Sequence, residues 1–269
     1  MVGTRNETLI KNELIRYIAS LGLQVNTVTK ARGNKGFFKE GRIDISKTLD
    51  DASQIKTIIH EFAHYINFKI DKSLKNLDAV LGDGSEALTE ELLEVTGFVD
   101  SNSKCSNLSR ERDVLKDEIN ALSEKIRKTN PEFSLSEDFK AFRKYARFTD
   151  LEYLEKYDKV KVHNLTSVKF YSLVNIKKDF PNLPQVFADY LNLKSKQRRR
   201  AKISKRINKL NKYYSEPCEL FARFIEGLYL DSEKVKALAP NAFERFMDKY
   251  NKNYFFGLRE LFSIVRIIL

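Results

Sequence analysis

The 269-residue chain predicts an α+β fold, predominantly helical, with a small sheet near its N-terminus. Three observations predict it. Apolar residues recur at helical spacing through much of the chain, as in Ile55, Ile58, Ile59, Phe62 and Ile66. Alternating segments, the mark of half-buried strands, occur before residue 50 at residues 25–29 (VNTVT) and 42–46 (RIDIS). A hydrophobic content of 42% with 32% charged residues fits a soluble globular chain long enough to bury a core.

The elements follow in order. Leu9, Ile10, Leu14, Ile15 and Ile18 give a first helix, and Gly22 permits its stop. The strand at 25–29 is followed by a Gly/Lys loop over 31–41 and the strand at 42–46. A turn at Asp50-Asp51 opens a helix carrying the apolar stripe from Ile55 to Ile66. A linker rich in Lys, Asp and Gly extends to Gly84, and an acidic amphipathic helix covers 86–99. Leu108, Leu115, Ile119, Leu122 and Ile126, with charges between them, predict a long exposed helix over 107–128, one half of a helical hairpin, ended by Asn130-Pro131. Residues 136–193 are aromatic-rich, helical or irregular, and broken by Pro181 and Pro184. Near the C-terminus, Ser215 can cap a helix and Pro217 suits its first turn. Leu220, Phe221, Phe224, Ile225 and Leu228 bury one side of that helix, while Glu219, Arg223 and Glu226 share another. The apolar tail from Phe256 to Leu269 is short and carries Arg259, Glu260 and Arg266, so it reads as a buried helix, not a membrane span.

Composition bounds the setting. The first thirteen residues are polar and of mixed charge, which argues against a secretory signal. Two cysteines far apart, Cys105 and Cys218, make a disulfide framework unexpected and fit a reducing, cytoplasmic setting. The net charge of +11 favours acidic partners, either nucleic acid or an anionic protein surface. Ten Lys and Arg and no acid lie between Lys194 and Lys212, with Ile203, Ile207 and Leu210 as an apolar stripe. That stretch has no interleaved aromatics, which favours a solvated helix face over a binding surface.

The chemistry concentrates in His60-Glu61-Phe62-Ala63-His64, an H-E-x-x-H segment that uses two of the three histidines in the chain. Residues four apart on a helix lie one turn above each other, so the two imidazoles can bind one metal from one side. Glu61 projects about 100° round the axis, where its carboxylate reaches a water held by the metal and not the metal itself. Zinc lowers the pKa of such a water to roughly 7, and the carboxylate takes its proton. The bland alternative is two histidines on an ordinary buried helix. A strand shortly before such a helix can border a cleft and pair with a peptide backbone, or merely complete a small sheet.

A catalytic zinc takes three protein ligands. His163 sits in a basic, strand-like segment that disfavours a metal, and Ile70 occupies the position of a third histidine in the longer H-E-x-x-H-x-x-G-x-x-H pattern. A carboxylate is therefore expected, and two compete. Glu94 lies on the acidic helix, where the bland reading is a solvated face. Glu219 lies near the C-terminus, where the bland reading is an i,i+4 pair with Arg223. Sequence distance does not separate them, because loop-closure cost grows only logarithmically.

His60-Glu61-Phe62-Ala63-His64, followed far downstream by Glu219-Leu220-Phe221-Ala222-Arg223-Phe224, resembles the lethal-factor-like zinc peptidases and the metallopeptidase domains of phage and mobile-element polyvalent proteins. Their second motif has the form E-x-F-A-x-x-F; this chain departs at its last position, where Ile225 stands. Residues 238–246 (LAPNAFERF) resemble an Ala-Pro-containing segment that follows in that family. The resemblance covers roughly residues 40–70 and 210–250. It implies a zincin-like fold, Zn2+ held by His60, His64 and Glu219, Glu61 as general base, and hydrolysis of peptide bonds in a peptide or protein substrate. It also implies a tyrosine near the substrate carbonyl; Tyr214 is assigned that role, with Tyr213 as its alternative. A weaker likeness ties residues 94–99 to the ligand helix of compact zinc peptidases. The implied organisation is an N-terminal zincin subdomain over 1–100, a helical insertion over 101–205, and a C-terminal helical subdomain over 206–269 supplying the third ligand. The alternative function is a basic module binding nucleic acid or acidic protein, with a structural or degenerate zinc site.

Overall fold

The computed structural model describes residues 7–29, 35–99, 104–131, 137–147, 149–163 and 168–269. The chain runs α1 (Glu7–Ser20), β1 (Gln24–Val28), β2 (Gly36–Lys39), β3 (Arg42–Ser46), α2 (Asp51–Ile70), α3 (Leu77–Leu81) and α4 (Glu86–Val99). It continues with α5 (Lys104–Thr129), α6 (Glu137–Arg147), α7 (Leu151–Lys156), β4 (Lys159–His163), β5 (Val168–Ser172), α8 (Ile176–Asp179) and α9 (Gln185–Tyr214). It closes with α10 (Pro217–Leu230), α11 (Ser232–Leu238), α12 (Pro240–Asn251) and α13 (Leu258–Val265). The molecule is thus predominantly helical with little sheet. It divides into two compact units, Met1–Ser101 with Leu210–Leu269, and Asn102–Lys209.

In the first unit the sheet order is β1-β3-β2, with β1 parallel and β2 antiparallel to β3. The strand at 42–46 is therefore central, and an edge of the sheet is β2, which falls in the segment expected to be a loop. The reason is tertiary. Glu40 and Gly41, at φ 27° and 85°, make the two-residue turn that folds β2 onto β3. Phe38 then packs edge-on against Tyr65 and Phe68 of α2, with ring centroids 6.1 and 5.9 Å away. Gly and Lys around it signal a loop locally, but the packing of one half-buried aromatic ring on α2 decides the strand. The first residues of that expected loop, 31–34, and residues 132–136 lie outside the described residues.

Helix α2 begins where the sequence predicts, because the Asp50 carboxylate accepts a hydrogen bond from the Ser53 amide at 2.8 Å. Ile55, Ile58, Ile59, Phe62 and Ile66 are fully buried, and they share one core with Leu14 and Ile18 of α1, Ile43 and Ile45 of β3, and Leu92 and Val95 of α4. Helix α10 packs on both α2 and α4. Its approach to α4 requires Gly227, since a Cβ there would stand 2.9 Å from both Val95 Cγ1 and Val235 Cγ2. The cap of α10 differs from expectation. Glu216 is its N-cap and Pro217 its first residue, while the Ser215 hydroxyl bonds back to the Asn211 carbonyl at the end of α9. The 71–84 linker holds the short helix α3, anchored by Leu77, Val80 and Leu81. Leu258, Leu261, Phe262 and Ile264 bury the C-terminal helix α13. Among the described residues no helix is long and apolar enough to cross a membrane.

In the second unit the half-hairpin at 107–128 finds its partner far along the chain. Glu111 pairs with Arg199 and Glu118 with Lys196, so α5 and α9 run antiparallel. Phe142 stacks on Phe187 at 4.2 Å in a core with Leu151, Leu154, Leu173, Ile176 and Leu191. Strands β4 and β5 form an antiparallel ribbon.

A candidate metal centre between α2 and α10

Four-residue spacing puts Lys56, His60 and His64 on one face of α2. On α10, Glu219 and Glu226 are seven apart and occupy a common face. The two helices run antiparallel along these faces. Glu226 meets Lys56 and His60, and Glu219 meets His60 and His64. Nε2 of His60 lies 3.2 Å from Nε2 of His64. The Glu219 oxygens lie 3.1 Å from His64 Nε2 and 3.5 Å from His60 Nε2. These three side chains could hold a metal ion. The edge of a tetrahedron with metal–ligand bonds of about 2.1 Å is about 3.4 Å, so the three donor atoms already stand at separations such a site requires.

Two further observations fit a cation. Oε2 of Glu219 is buried and accepts no hydrogen bond; an orphaned carboxylate oxygen is costly unless something positive faces it. The charges also leave room for one. Three carboxylates, Glu61, Glu219 and Glu226, are 4–6% exposed, and the cations facing them are Lys56 and Arg223. A metal on the two imidazoles would keep them neutral, and the balance of the remaining groups is then negative and suits a divalent ion.

The carboxylates are tuned apart. Burial would raise Glu219, but the two histidines hold it well below the usual carboxylate range. Burial likewise opposes ionisation of Glu226, yet His60, Arg223 and Lys56 keep it down at about 2. Burial pushes Glu61 up, against the pull of His60 and His64. Burial disfavours a charged His60, but its contacts with Glu219 and Glu226 carry it to about 9. Two of the acids are thus held anionic, while burial makes the third harder to ionise.

Glu61 is placed by the sheet. The Phe38 backbone lies near enough to its carboxylate to favour its charged form. Its Oε1 lies 2.7 Å from the point a Cβ would occupy at Gly36, and Thr57 Cγ2 only 2.4 Å from it. Only glycine lets β2 approach α2 this closely.

Other predicted residues fall elsewhere. Glu94 is exposed on α4 and belongs to no metal-holding group among the described residues. His163 is exposed on β4. Arg223 pairs with Glu226 at 3.0 Å, not with Glu219. The ring of Tyr214 lies under the Arg223 guanidinium at 5.3 Å, and the Tyr213 phenol faces Glu219. Burial, then the charge of Glu219 and a polar contact with it, pushes the Tyr213 phenol far above its ordinary range. Sequence reasoning missed the roles of Gly36, Lys56 and Glu226. The i, i+4, i+8 row of Lys56, His60 and His64 was a legible signal for the second; for Gly36 there was none.

The chain matches no family model, no curated protein and no solved structure.

Proposed function

We propose that this protein is a zinc-dependent peptidase of zincin-like fold. The observation that carries this reading is the convergence of His60 Nε2, His64 Nε2 and Glu219 at mutual separations of 3.1–3.5 Å beside a buried Glu61. The lethal-factor-like resemblance of the two motifs supports the same ligand set. When bound, zinc would supply Lewis acidity toward the scissile carbonyl and the attacking water. His60, His64 and Glu219 would hold it. Glu61, its proton affinity raised by burial, takes the proton of the water and returns it to the departing amine. Tyr213, 42% exposed at the rim, offers a hydroxyl to the developing oxyanion.

Strand β2 supports a peptide substrate over a small molecule. It is a sheet edge that runs past Glu61, and an extended backbone adding to it would bring its peptide bonds alongside that carboxylate. The test is metal analysis of purified protein together with cleavage of a mixed peptide library by wild type and Glu61→Gln. Cleavage by the wild type alone is expected. A wild type that takes up no zinc, or a variant as active as its parent, defeats the reading.

A further inference from the structure

The charge of this protein is segregated. The Asn102–Lys209 unit holds 26 of the 48 Lys and Arg but only 14 of the 37 Asp and Glu, a balance of +12, which leaves −1 for the unit that carries the metal centre. The excess has a definite address. No acid occurs from Tyr190 to Ser215, and Lys202, Lys205, Arg206 and Lys209 are exposed at spacings that keep them on one face of α9. Lys205, Arg206 and Lys209 meet no acidic side chain among the described residues. Ile203 and Ile207 bury the opposite side. A general surplus of lysine in the chain would not spare one unit and load the other.

The sequence lacked aromatics in this stretch; the fold supplies them from elsewhere. Arg198 bonds the Glu155 carbonyl and the Asp158 carboxylate, and Lys202 acts on Asp158 as well. Helix α9 is thereby tied to the start of the β4–β5 ribbon. Lys159, Lys161 and His163 pair across the ribbon with Ser172, Phe170 and Val168 and so share its outer face. The other face, with Val160 and Tyr171, packs into the core. On the outer face Phe170 is 70% exposed, with Lys161 Nζ 5.4 Å from its ring centroid, and Tyr157 just before β4 is 59% exposed. Solvent-exposed rings on the ribbon, and on α9 a row of cations that meet no acid among the described residues, are the two parts of a single-strand platform, stacking for bases and charge for phosphates.

We infer that the Asn102–Lys209 unit binds single-stranded nucleic acid through the exposed face of α9 and the outer face of the β4–β5 ribbon. The chemistry at the metal centre is not needed for this. An acidic protein would satisfy the cations equally but would bring no base to stack on the exposed Phe170 ring.

The test is fluorescence anisotropy of the full chain with a labelled 20-nucleotide oligo-dT and with a 20-base-pair duplex, across a salt series from 50 to 200 mM. Saturable binding that prefers the single strand and weakens linearly in log salt is expected. The triple variant Lys205→Ala/Arg206→Ala/Lys209→Ala should weaken binding at least tenfold and flatten the salt slope by about two, at about 0.7 per phosphate contact. Phe170→Ala should weaken the single strand about tenfold and leave the duplex and the circular dichroism melt unchanged. The inference is overturned by no saturable binding at 50 mM salt, by polyglutamate competing as well as unlabelled oligo-dT, or by both variants binding like wild type. A duplex bound as tightly as the single strand, with Phe170→Ala unaffected, also overturns it.

Discussion

Nδ1 of His60 lies 3.0 Å from Oε2 of Glu226, seven residues beyond Glu219 on the same helix. A carboxylate there accepts the Nδ1 hydrogen, which would leave Nε2 free to bind a metal on the side of His64 and Glu219. Glu226 is itself held by Lys56 at 3.1 Å and Arg223 at 3.0 Å. The candidate site thus has an orienting layer behind one of its ligands.

Glu226→Gln should weaken zinc binding about 10- to 100-fold while the fold survives. The amide can still accept from Nδ1 but no longer favours the imidazole's donor tautomer by charge. Competition against a chromogenic chelator measures the change. Zinc affinity equal to wild type would remove Glu226 from this role.

Glu61→Gln should leave zinc content unchanged and lower kcat by about 10²–10⁴-fold. Its carboxylate is not among the three donors that converge, so metal and turnover separate. Loss of metal in this variant would make Glu61 a ligand instead.

Removing the metal should destabilise the first unit. Glu219 Oε2 would regain its unsatisfied burial, and linkage removes about 4 kcal/mol where free zinc stood at a thousandfold its Kd. Thermal melts with and without a chelator read this as a lowered Tm that zinc restores. Identical melts would mean that no ion binds the native state preferentially.

Tyr213→Phe should lower kcat by up to about 10²-fold with little change in KM, whereas Tyr214→Phe should have the smaller effect. The phenol of Tyr213 faces Glu219, and the ring of Tyr214 covers Arg223. Steady-state kinetics on any peptide the wild type cleaves will rank them, and the reverse order would return the role to Tyr214.

Gly36→Val should impair turnover more than metal binding. Even the first carbon of the new side chain would stand 2.4 Å from Thr57 Cγ2 and 2.7 Å from Glu61 Oε1, so β2 or Glu61 must shift. Zinc uptake near normal with kcat depressed is the expected pattern. Full activity would show that β2 yields without cost.

What the sequence determined by itself is what short-range geometry determines. Helical spacing set His60 and His64 on one face of α2, Asp50 started that helix, and the apolar rows of α2 and α10 told which sides are buried. The same rule put Glu219 and Glu226 on one face of α10 before any partner was known. Tertiary structure alone decided the rest. Glu94 and Glu219 looked alike locally, and loop closure is too weakly dependent on length to rank them; only the packing of α10 on α2 brings one acid to the histidines and leaves the other in water. Strand β2 exists because Phe38 packs on residues of another element, and Gly36 matters because of contacts more than twenty residues away in the chain. Tyr213 and Tyr214 differ by one step of a helix, a rotation that has meaning only once α10 and β2 are in place to be faced.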